Sequence, residues 1–318
     1  MRNFVLSLSL GVASCASLIA ENYSAYSQLN GWPSTVNVEF GAGYRQDDLK
    51  WSTAGLTDDS NVLREMKWKN LQIVQVEGSL SYASCRNYAF RISGDYGHIY
   101  EGKNTESVRF FSEEEDTYFT ESLSHHKAGK GSVYDVEGGV GYRIISTCAR
   151  FTATPLVGYS WHGQNLHLYN GEQVISRFEL DRHDIDGLNS NYHAHWYGPW
   201  FGMDFNAQVE KCAYVFGNFE WHIVSYRGNG KFNRSERLVG PFNQKAHGFG
   251  YSAVLGGNWE IWDNWSIGVV GNYRNLKTRH GHETFTLKTA DGDFKGKTRF
   301  NQVKWQSFSV SGIVAYRF

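Results

Sequence analysis

RFNQVKWQSFSVSGIVAYRF, residues 299–318, is the stretch that decides the fold. Working back from the carboxyl end, every second position holds an apolar side chain or glycine: Phe318, Tyr316, Val314, Gly312, Val310 and Phe308. The positions between them are mostly polar, with Ile313 and Ala315 as the exceptions. Alternation with a period of two is the pattern of a β-strand that has one apolar and one polar face.

The chain ends on an aromatic residue, Phe318, with Tyr316 two residues before it. This ending resembles the terminal strand of bacterial outer-membrane β-barrels, which closes the barrel and serves as its assembly signal. The resemblance implies that Phe318 and Tyr316 are the assembly signal here, and that the partners include the barrel-assembly machinery and outer-membrane lipid. The alternative is an ordinary edge strand at the end of a soluble domain.

The same alternation recurs along the chain and predicts about ten strands, the cleanest of them from Val36 to Tyr44. Four connections are short, at about 83–87, 145–150, 210–213 and 261–264. The connections between them are long and polar, at about 47–61, 102–132, 163–193, 227–245 and 278–298. Short turns on one side and long loops on the other are typical of a transmembrane barrel. We therefore predict an all-β fold: a single antiparallel up-and-down transmembrane β-barrel over residues 35–318, with short periplasmic turns and long extracellular loops.

Composition agrees with this fold and its place in the outer membrane. Aromatic residues make up 16% of the chain, and only four residues are proline. No apolar run is long enough for a membrane-spanning helix. Aromatic side chains at the strand ends predict two girdles at the headgroup levels. One comprises Tyr82, Tyr142, Tyr214, Trp259, Trp265 and Phe318, and the other Tyr44, Trp68, Tyr100, Tyr159, Trp161, Tyr197 and Tyr273. A net charge of −1 argues against a nucleic-acid partner.

The amino terminus has the pattern of a secretory signal peptide, predicted at residues 1–20. Arg2 supplies the positive start, and residues 4–12 form an apolar core. Small residues allow cleavage after Ala16 or Ala20, which leaves residues 21–34 as a short segment before the barrel. Cys15 follows a sequence that loosely fits a lipoprotein cleavage box, so lipidation at this residue is an alternative.

The side chains on the polar face of each predicted strand point into the barrel lumen, because a charged side chain that faces lipid in mid-membrane is energetically costly. The predicted lumen-lining charges are Glu39, Arg45, Glu77, Arg91, Asp95, Asp135, Glu137, Arg143, Asp204, Glu220, Arg274 and Arg317. They could line a hydrophilic pore or form a network that plugs a narrow barrel, since about eight strands already leave an interior that side chains fill. Inward glycines such as Gly139 and Gly141 leave space and favour a channel. The residues alone leave both alternatives open.

Three cysteines remain outside the signal segment. Cys85, Cys148 and Cys212 fall in three successive short turns, which would lie at the oxidising periplasmic rim. Successive turns are two strands apart, roughly 10 Å or more, whereas a disulfide needs Cα atoms about 4.4–6.8 Å apart. The odd count predicts cross-linking to other envelope proteins, with free thiols as the alternative. The three do not form the close-spaced pairs of a metal site.

Several segments together resemble the outer-membrane porin family of Protochlamydia-type chlamydiae. They are Gly43-Tyr44-Arg45-Gln46-Asp47, Leu49-Lys50-Trp51, Ala54-Gly55, Glu65-Met66-Lys67-Trp68-Lys69, Asp95-Tyr96-Gly97, Gly138-Gly139-Val140-Gly141-Tyr142, Trp196-Tyr197-Gly198-Pro199-Trp200 and Asn301-Gln302-Val303-Lys304-Trp305. The resemblance covers most of the mature chain and implies pore formation and an envelope cross-linked by disulfides. It predicts a porin-like channel for passive diffusion of ions and small hydrophilic solutes. It carries over no catalytic residue and no cofactor.

Two other functions compete with the porin. A non-conducting structural or adhesion barrel would act through its extracellular loops, and a closed lumen would favour it. A barrel protease similar to omptins needs an Asp pair and an Asp-His pair on opposite walls. Residues 181–186 copy both spacings in one loop, which disfavours an enzyme. The pairs His193/His195 and His280/His282 are interpreted as strand-end histidines near water, so no metal site is predicted.

Overall fold

The structure is a computed structural model that describes residues 34–54, 62–112, 117–146, 150–176, 183–232, 241–289 and 292–318. The predicted signal peptide at residues 1–20 and nearly all of the following segment lie outside the described residues. The same is true of Cys15 and of Cys148. These expectations therefore stay predictions.

Antiparallel strands make up almost all of the described chain. They are β1 (Thr35–Thr53), β2 (Arg64–Ala83), β3 (Tyr88–Ser112), β4 (Thr117–Tyr142), β5 (Ile144–Ile145), β6 (Phe151–Ser176), β7 (His183–Gln208), β8 (Ala213–Lys231), β9 (Phe242–Trp262), β10 (Trp265–Thr278), β11 (Gly281–Thr289) and β12 (Gly292–Arg317). No helix among the described residues is long and apolar enough to cross a membrane.

The strands close into a ring with ten places. Around the ring the order is β1, β2, β3, β4, β6, β7, β8, β9, β10 and β12, and β12 pairs with β1. The two-residue β5 pairs only with β6, just after the end of β4. Because β11 pairs with both β9 and β12, it lies between the same two strands as β10 and occupies the same position in the ring. The prediction of one antiparallel up-and-down barrel of about ten strands is confirmed.

The two ends of the ring differ. Four short connections join the strands at one end, which we call the turn end; the opposite end is the loop end. At the turn end, Phe318 and Val36 exchange two backbone hydrogen bonds, so the carboxyl terminus is fixed to the first strand. Between the ends, β1 and β12 pair from Asn37↔Arg317 to Thr53↔Phe300.

The polarity of the strands reverses along their length, as β1 illustrates. Near the turn end its outward side chains are apolar, with Phe40 68% exposed, whereas the inward Arg45 is only 2% exposed. Towards the loop end the outward side chain is Lys50, 47% exposed, and the inward one is Trp51, which is fully buried. Lipid requires an apolar outer surface and water favours a polar one. The reversal therefore separates a membrane-embedded part from an extramembrane part.

The long polar segments that we expected to be loops are largely strand. The segment at about 102–132 is an example, since β3 continues to Ser112 and β4 begins at Thr117. These extensions have polar side chains outside. The inward side chains are apolar on β1 and β2, for example Trp51 and Met66, whereas on β3 and β4 they include buried Asn104, Glu106, Ser124 and His126. On β1 and β2 the alternation therefore has the sign opposite to that of a lipid-facing strand. Register shifts interrupt the alternation further, for example between Val108 and Arg109. The barrel wall consequently extends well beyond the apolar band.

Two members of the predicted aromatic girdles lie inside the barrel instead. Trp68 is fully buried, because a register shift between Lys69 and Gln72 reverses which parity faces inward. Asn70, at this bulge, adopts φ = 52°. Such bulges place one extra residue in a strand and change the direction of the following side chains. Tyr214 contributes to the wall of an interior cavity, where the Arg317 guanidinium carbon lies 5.0 Å from its ring centroid.

Candidate functional site

A polar cavity of about 510 Å³ occupies the barrel interior at the turn end. We call it the vestibule. Its wall includes Glu39, Glu77, Arg143, Asp204 and Arg317. Each of these residues was predicted to line a lumen. Glu39 accepts hydrogen bonds from Asn37 Nδ2 at 2.7 Å and from Ser79 Oγ at 3.4 Å.

A network of ion pairs, which we call the charged layer, crosses the barrel beyond the vestibule. Arg45 Nη1 on β1 donates to Asp135 Oδ2 on β4 at 2.7 Å and to Asp95 Oδ1 on β3 at 2.9 Å. Arg274 Nη1 on β10 donates to the same Asp135 oxygen at 2.9 Å. The strands β4 and β10 are five places apart in the ring of ten, so this contact joins opposite walls.

The aspartate that holds the layer together has further partners. His162 Nδ1 lies 2.9 Å from Asp135 Oδ1. Arg45 also pairs with Asp47 through Nε and Nη2 at 2.8 and 2.9 Å. Asp47 in turn accepts a hydrogen bond from the indole Nε1 of Trp305 at 3.0 Å. Because Arg45 and Asp135 each bind several partners, the layer is one connected network.

A second group of ion pairs extends the charged layer towards β7 and β8. Arg91 Nη1 on β3 donates to Asp204 Oδ1 at 2.6 Å, and its Nη2 pairs with Glu220 on β8. The Arg91 guanidinium carbon lies 5.2 Å from the ring centroid of Trp200. His222 Nε2 lies 3.2 Å from Glu220 Oε2. These contacts span four places of the ring, from β3 to β8, and add a second bridge across the interior.

Apolar and aromatic side chains fill the interior between the charged layer and the loop end. This aromatic core includes Leu49, Trp51, Met66, Trp68, Leu71, Ile73, Ile99, Val133, Leu166, Tyr192, Trp196, Tyr226, Phe242, Leu276, Phe300, Val303 and Trp305. The rings of Trp51 and Tyr192 lie 5.8 Å apart, and those of Trp196 and Trp305 lie 6.1 Å apart. Because β1 and β7 are opposite each other in the ring, the core also joins opposite walls.

The inward glycines do not leave an open passage. A Cβ atom at Gly139 would lie 2.6 Å from the ring of Trp200, and one at Gly158 would lie 2.5 Å from the same ring. The indole therefore occupies the space that the missing side chains leave, and Trp200 is 2% exposed. Our interpretation of Gly139 as channel space is therefore wrong. Gly139 and Gly158 allow an aromatic side chain to cross the interior.

All twelve of the predicted lumen-lining charges point into the barrel, but they do not form one set. Arg45, Arg91, Asp95, Asp135, Glu137, Asp204, Glu220 and Arg274 belong to the charged layer. All of these except Arg45 and Glu220 also border the vestibule, whereas Glu39, Glu77, Arg143 and Arg317 line the vestibule without belonging to the layer. Arg143 stands at the rim, where it donates to Ser84 O and Asn87 Oδ1 at 3.4 Å. Asp47, His162 and His222 are not among the predicted lumen-lining residues, although each lies on the inward face of its strand.

A chain of buried polar groups runs through the aromatic core. Tyr192 Oη donates to Gln244 Oε1 at 2.6 Å, and Gln244 Nε2 donates to Glu283 Oε2 at 2.6 Å. The hydroxyls of Tyr192 and Tyr226 are also hydrogen-bonded to each other. Burial raises the pKa of Glu283, and the charge of Arg64 and the hydrogen bond from Gln244 offset only part of this increase. The ionised carboxylate is therefore disfavoured in the folded barrel.

Glu283→Gln is expected to stabilise the barrel at neutral pH and to flatten its stability against pH. A carboxyl whose pKa is raised by folding contributes stability that is present at acidic pH and lost as the pH rises through the folded pKa. The amide keeps the shape and has no such loss. Urea unfolding of the reconstituted chain between pH 4 and pH 8 measures the effect. The same substitution at exposed Glu210 is the control, and an identical slope for both variants would contradict the assignment.

The turn-end cysteines and the remaining candidate sites can be placed only in part. Cys85 and Cys212 are exposed free thiols, and Cys148 lies outside the described residues. His193 Nδ1 is 2.7 Å from Asn165 Oδ1, and His195 Nδ1 is 3.2 Å from Tyr134 Oη. Within the described ranges there is no group of three or more His, Cys, Asp or Glu side chains arranged to hold a metal ion.

The sequence matches one family model. The description of that family is Protochlamydia outer membrane protein, and the match covers residues 39–318. A search of curated proteins found no match.

Solved structures of outer-membrane barrels are similar to this chain. The outer membrane protease OmpT from Escherichia coli aligns with a TM-score of 0.75 at 12% identity, over 91% of this chain and 99% of that one. The outer membrane protein OprG from Pseudomonas aeruginosa aligns with a TM-score of only 0.34 at 11% identity, over 91% and 98% of the two chains. At these identities the likeness to OmpT concerns the fold alone. The residues that copy the omptin spacings, 181–186, lie partly outside the described ranges, so that pattern stays untested.

Proposed function

The chain belongs to the Protochlamydia outer membrane protein family, and from this premise we propose that it is a structural barrel of the bacterial outer membrane whose lumen is closed to ions and solutes. It acts through the tall extracellular part of its wall, formed by the strand extensions at the loop end. The observation that carries the proposal is the contact between opposite walls at two levels. Asp135 meets Arg274 in the charged layer, and Trp51 meets Tyr192 in the aromatic core.

The two levels oppose conduction in different ways. A hydrated ion at the charged layer would have to separate buried guanidinium–carboxylate pairs such as Arg45–Asp135 and Arg274–Asp135, which leaves buried charges unpaired. Beyond it, the ion would enter a region where Trp51, Trp68 and Trp305 are fully buried. The polar groups buried there, such as Tyr192, Gln244 and Glu283, are hydrogen-bonded to one another. An ion would have to break these bonds or remain without polar partners, which is strongly disfavoured. Ten strands also make a barrel only slightly wider than one that side chains fill.

A porin-like channel is the second candidate. It is supported by the family resemblance, which implies pore formation, and by the vestibule, whose polar wall gives small hydrophilic solutes access from the periplasmic end. For this candidate to hold, both the charged layer and the aromatic core must move aside together. The predicted selectivity of such a channel would depend on the vestibule carboxylates Glu39 and Glu77 and on Arg143 and Arg317.

Uptake of solutes by proteoliposomes distinguishes the two candidates. The refolded mature chain is reconstituted, and folding is verified by its heat-modifiable migration in a gel. We expect the vesicles to swell in an isotonic solution of a small sugar or amino acid no faster than vesicles without protein. Vesicles that contain an open general porin provide the positive control. Swelling that falls with solute size would contradict the closed barrel and favour the channel.

Absence of proteolysis is part of the same proposal. The likeness to OmpT is at the level of the fold, and the charged layer lies deep inside the barrel, where its carboxylates are bound to Arg45, Arg91 and Arg274. Carboxylates that are paired in this way are not a free pair that could activate a water molecule. Incubation of the reconstituted barrel with a complex peptide mixture, followed by mass spectrometry, is the test. Time-dependent cleavage at defined sites would contradict it.

Cross-linking through the turn-end cysteines is expected in the native envelope. Cys85 and Cys212 are exposed at the periplasmic rim, and exposed thiols in an oxidising compartment form disulfides with neighbours. Non-reducing electrophoresis of envelopes should show species of high mass that reductant converts to the monomer. We expect Cys85→Ser and Cys212→Ser each to remove a part of these species, with Ser146→Ala at the same rim as the control. Migration as a monomer without reductant would contradict the expectation.

A further inference from the structure

Four lysines stand side by side on the outer surface of the extracellular wall. Lys67 on β2 is directly opposite Lys50 on β1, Lys50 is directly opposite Lys304 on β12, and Lys304 is directly opposite Lys277 on β10. We call these four residues the lysine row. With about 4.8 Å between neighbouring strands, the row is roughly 14 Å long. All four side chains have the outward parity of their strands and are partly or fully exposed.

The lysine row lies just above the apolar band. On β12, Lys304 is followed on the same face by Gln306 and then by Phe308, which is 50% exposed. Four residues of strand correspond to about 13 Å along the chain. Within this interval, the Tyr273 hydroxyl accepts a hydrogen bond from Gln306 Nε2 at 3.1 Å, as expected of an aromatic residue at the membrane boundary. The ammonium groups therefore lie at the height of the headgroups of the outer leaflet.

The row is poorly neutralised by the protein itself. Like charges directly opposite each other in a sheet are destabilising. Glu65 pairs with both Lys50 and Lys67, and burial, which alone would raise its pKa, is outweighed by the hydrogen bonds from these two lysines, so its pKa is lowered. Across the described part of the chain, Lys277 and Lys304 form no ion pair.

Neighbouring strands do not place a further carboxylate level with the row. On β3, exposed Glu101 is opposite Gln72, whereas Lys67 is opposite Thr105. Asp48, the outward acid of β1, accepts a hydrogen bond from the backbone N of Asn70 at 2.7 Å and lies one step closer to the membrane. On the far side of β10, β9 presents His247 and Lys245 on its outward face, and both are exposed. One carboxylate, Glu65, thus faces four lysines.

We propose that the lysine row binds a phosphorylated glycolipid of the outer leaflet. Ammonium–phosphate pairs are charge-assisted hydrogen bonds, and each lysine supplies up to three donors. A headgroup that carries two phosphates on a disaccharide is long enough to reach two or more members of the row. Its acyl chains would pack on the apolar band below, against Phe308 and Tyr273. The site is outside the barrel and holds whether or not the lumen conducts.

Lipid binding to the full-length folded barrel tests the site. The chain is purified in a neutral detergent and titrated separately with a bisphosphorylated lipid A, its dephosphorylated form and phosphatidylglycerol, and bound lipid is counted by native mass spectrometry. We expect bisphosphorylated lipid A to bind at least tenfold more tightly than either of the other two. The triple variant Lys50→Gln, Lys277→Gln, Lys304→Gln should lose most of this difference.

A matched variant distinguishes binding at the lysine row from non-specific electrostatic attraction of the lipid to the protein. Lys211→Gln, Lys231→Gln, Lys295→Gln makes the same change in net charge at exposed lysines outside the row, and it should bind the phosphorylated glycolipid as the unmodified chain does. Equal weakening in both triple variants would overturn the proposal, as would equal affinity for phosphatidylglycerol or for the dephosphorylated glycolipid. Heat-modifiable migration establishes that each variant is folded before titration.

Discussion

Asp135→Ala is expected to lower the free energy of unfolding of the barrel by about 3–5 kcal/mol, the usual cost of removing one partner from a buried ion pair. Asp135 is 3% exposed and accepts from Arg45 and Arg274 on two different walls, with His162 on its second oxygen. Without it, two buried guanidiniums lose their shared carboxylate. Urea unfolding of the reconstituted chain, followed by tryptophan fluorescence, measures the loss.

Two variants make this result specific to the network. Asp184→Ala removes a carboxylate of the same type from an exposed position on β7 and should change stability by no more than about 0.5 kcal/mol. Asp135→Asn keeps the shape and one acceptor oxygen but removes the charge, and we expect a loss close to that of alanine. If Asp135→Ala were no more destabilising than Asp184→Ala, Asp135 would not connect the two walls.

Trp196→Ala is expected to cost about 3–5 kcal/mol as well, the range for large aromatic deletions in a packed core. Trp196 on β7 is fully buried, with ring centroids 4.6 Å from Tyr226 and 6.1 Å from Trp305. Removal of the indole leaves a cavity that rigid sheet walls do not close, and the contacts across the barrel are lost. Urea unfolding under the same conditions gives the magnitude.

The matched control for this deletion is Trp262→Ala at the turn end. Its side chain is 76% exposed, so its loss should change stability by less than about 1 kcal/mol. Similar losses for both tryptophans would mean that the interior of the extramembrane part is not packed as a core. Together, Asp135→Ala and Trp196→Ala measure the two levels at which opposite walls meet.

The fold could be predicted from the sequence because period-two alternation is a local signal. In the last strand, every second residue from Phe308 to Phe318 is apolar or glycine, because outward-facing residues all contact the same lipid environment. The same signal placed all twelve charges on the inward parity. A bulge such as the one at Asn70 changes which alternate residues face inward, and the sequence pattern does not show it. Trp68 was therefore assigned to the wrong face.

The interior contacts could be predicted only in part. Trp305 lies on the same face of its strand as Ser307 and Ser309, and Trp51 lies on the same face as Arg45 and Asp47. Each tryptophan could therefore have been assigned to the interior. Whether side chains on opposite walls touch depends on barrel width, strand stagger and side-chain rotamers. None of these is a property of a single strand. The filling of the space at Gly139 by Trp200, a residue two places away in the ring, is a contact of this kind.

The most direct test of the closed barrel is single-channel recording from the refolded mature chain in a planar bilayer. Insertion is established independently, by protection of the membrane-embedded strands from added protease. We expect no discrete current steps in 1 M KCl at moderate voltage, because Arg45, Arg274 and Asp135 bridge the lumen and the aromatic core fills the interior beyond them. Ohmic steps of constant size that scale with salt concentration would contradict the closed lumen and establish a pore.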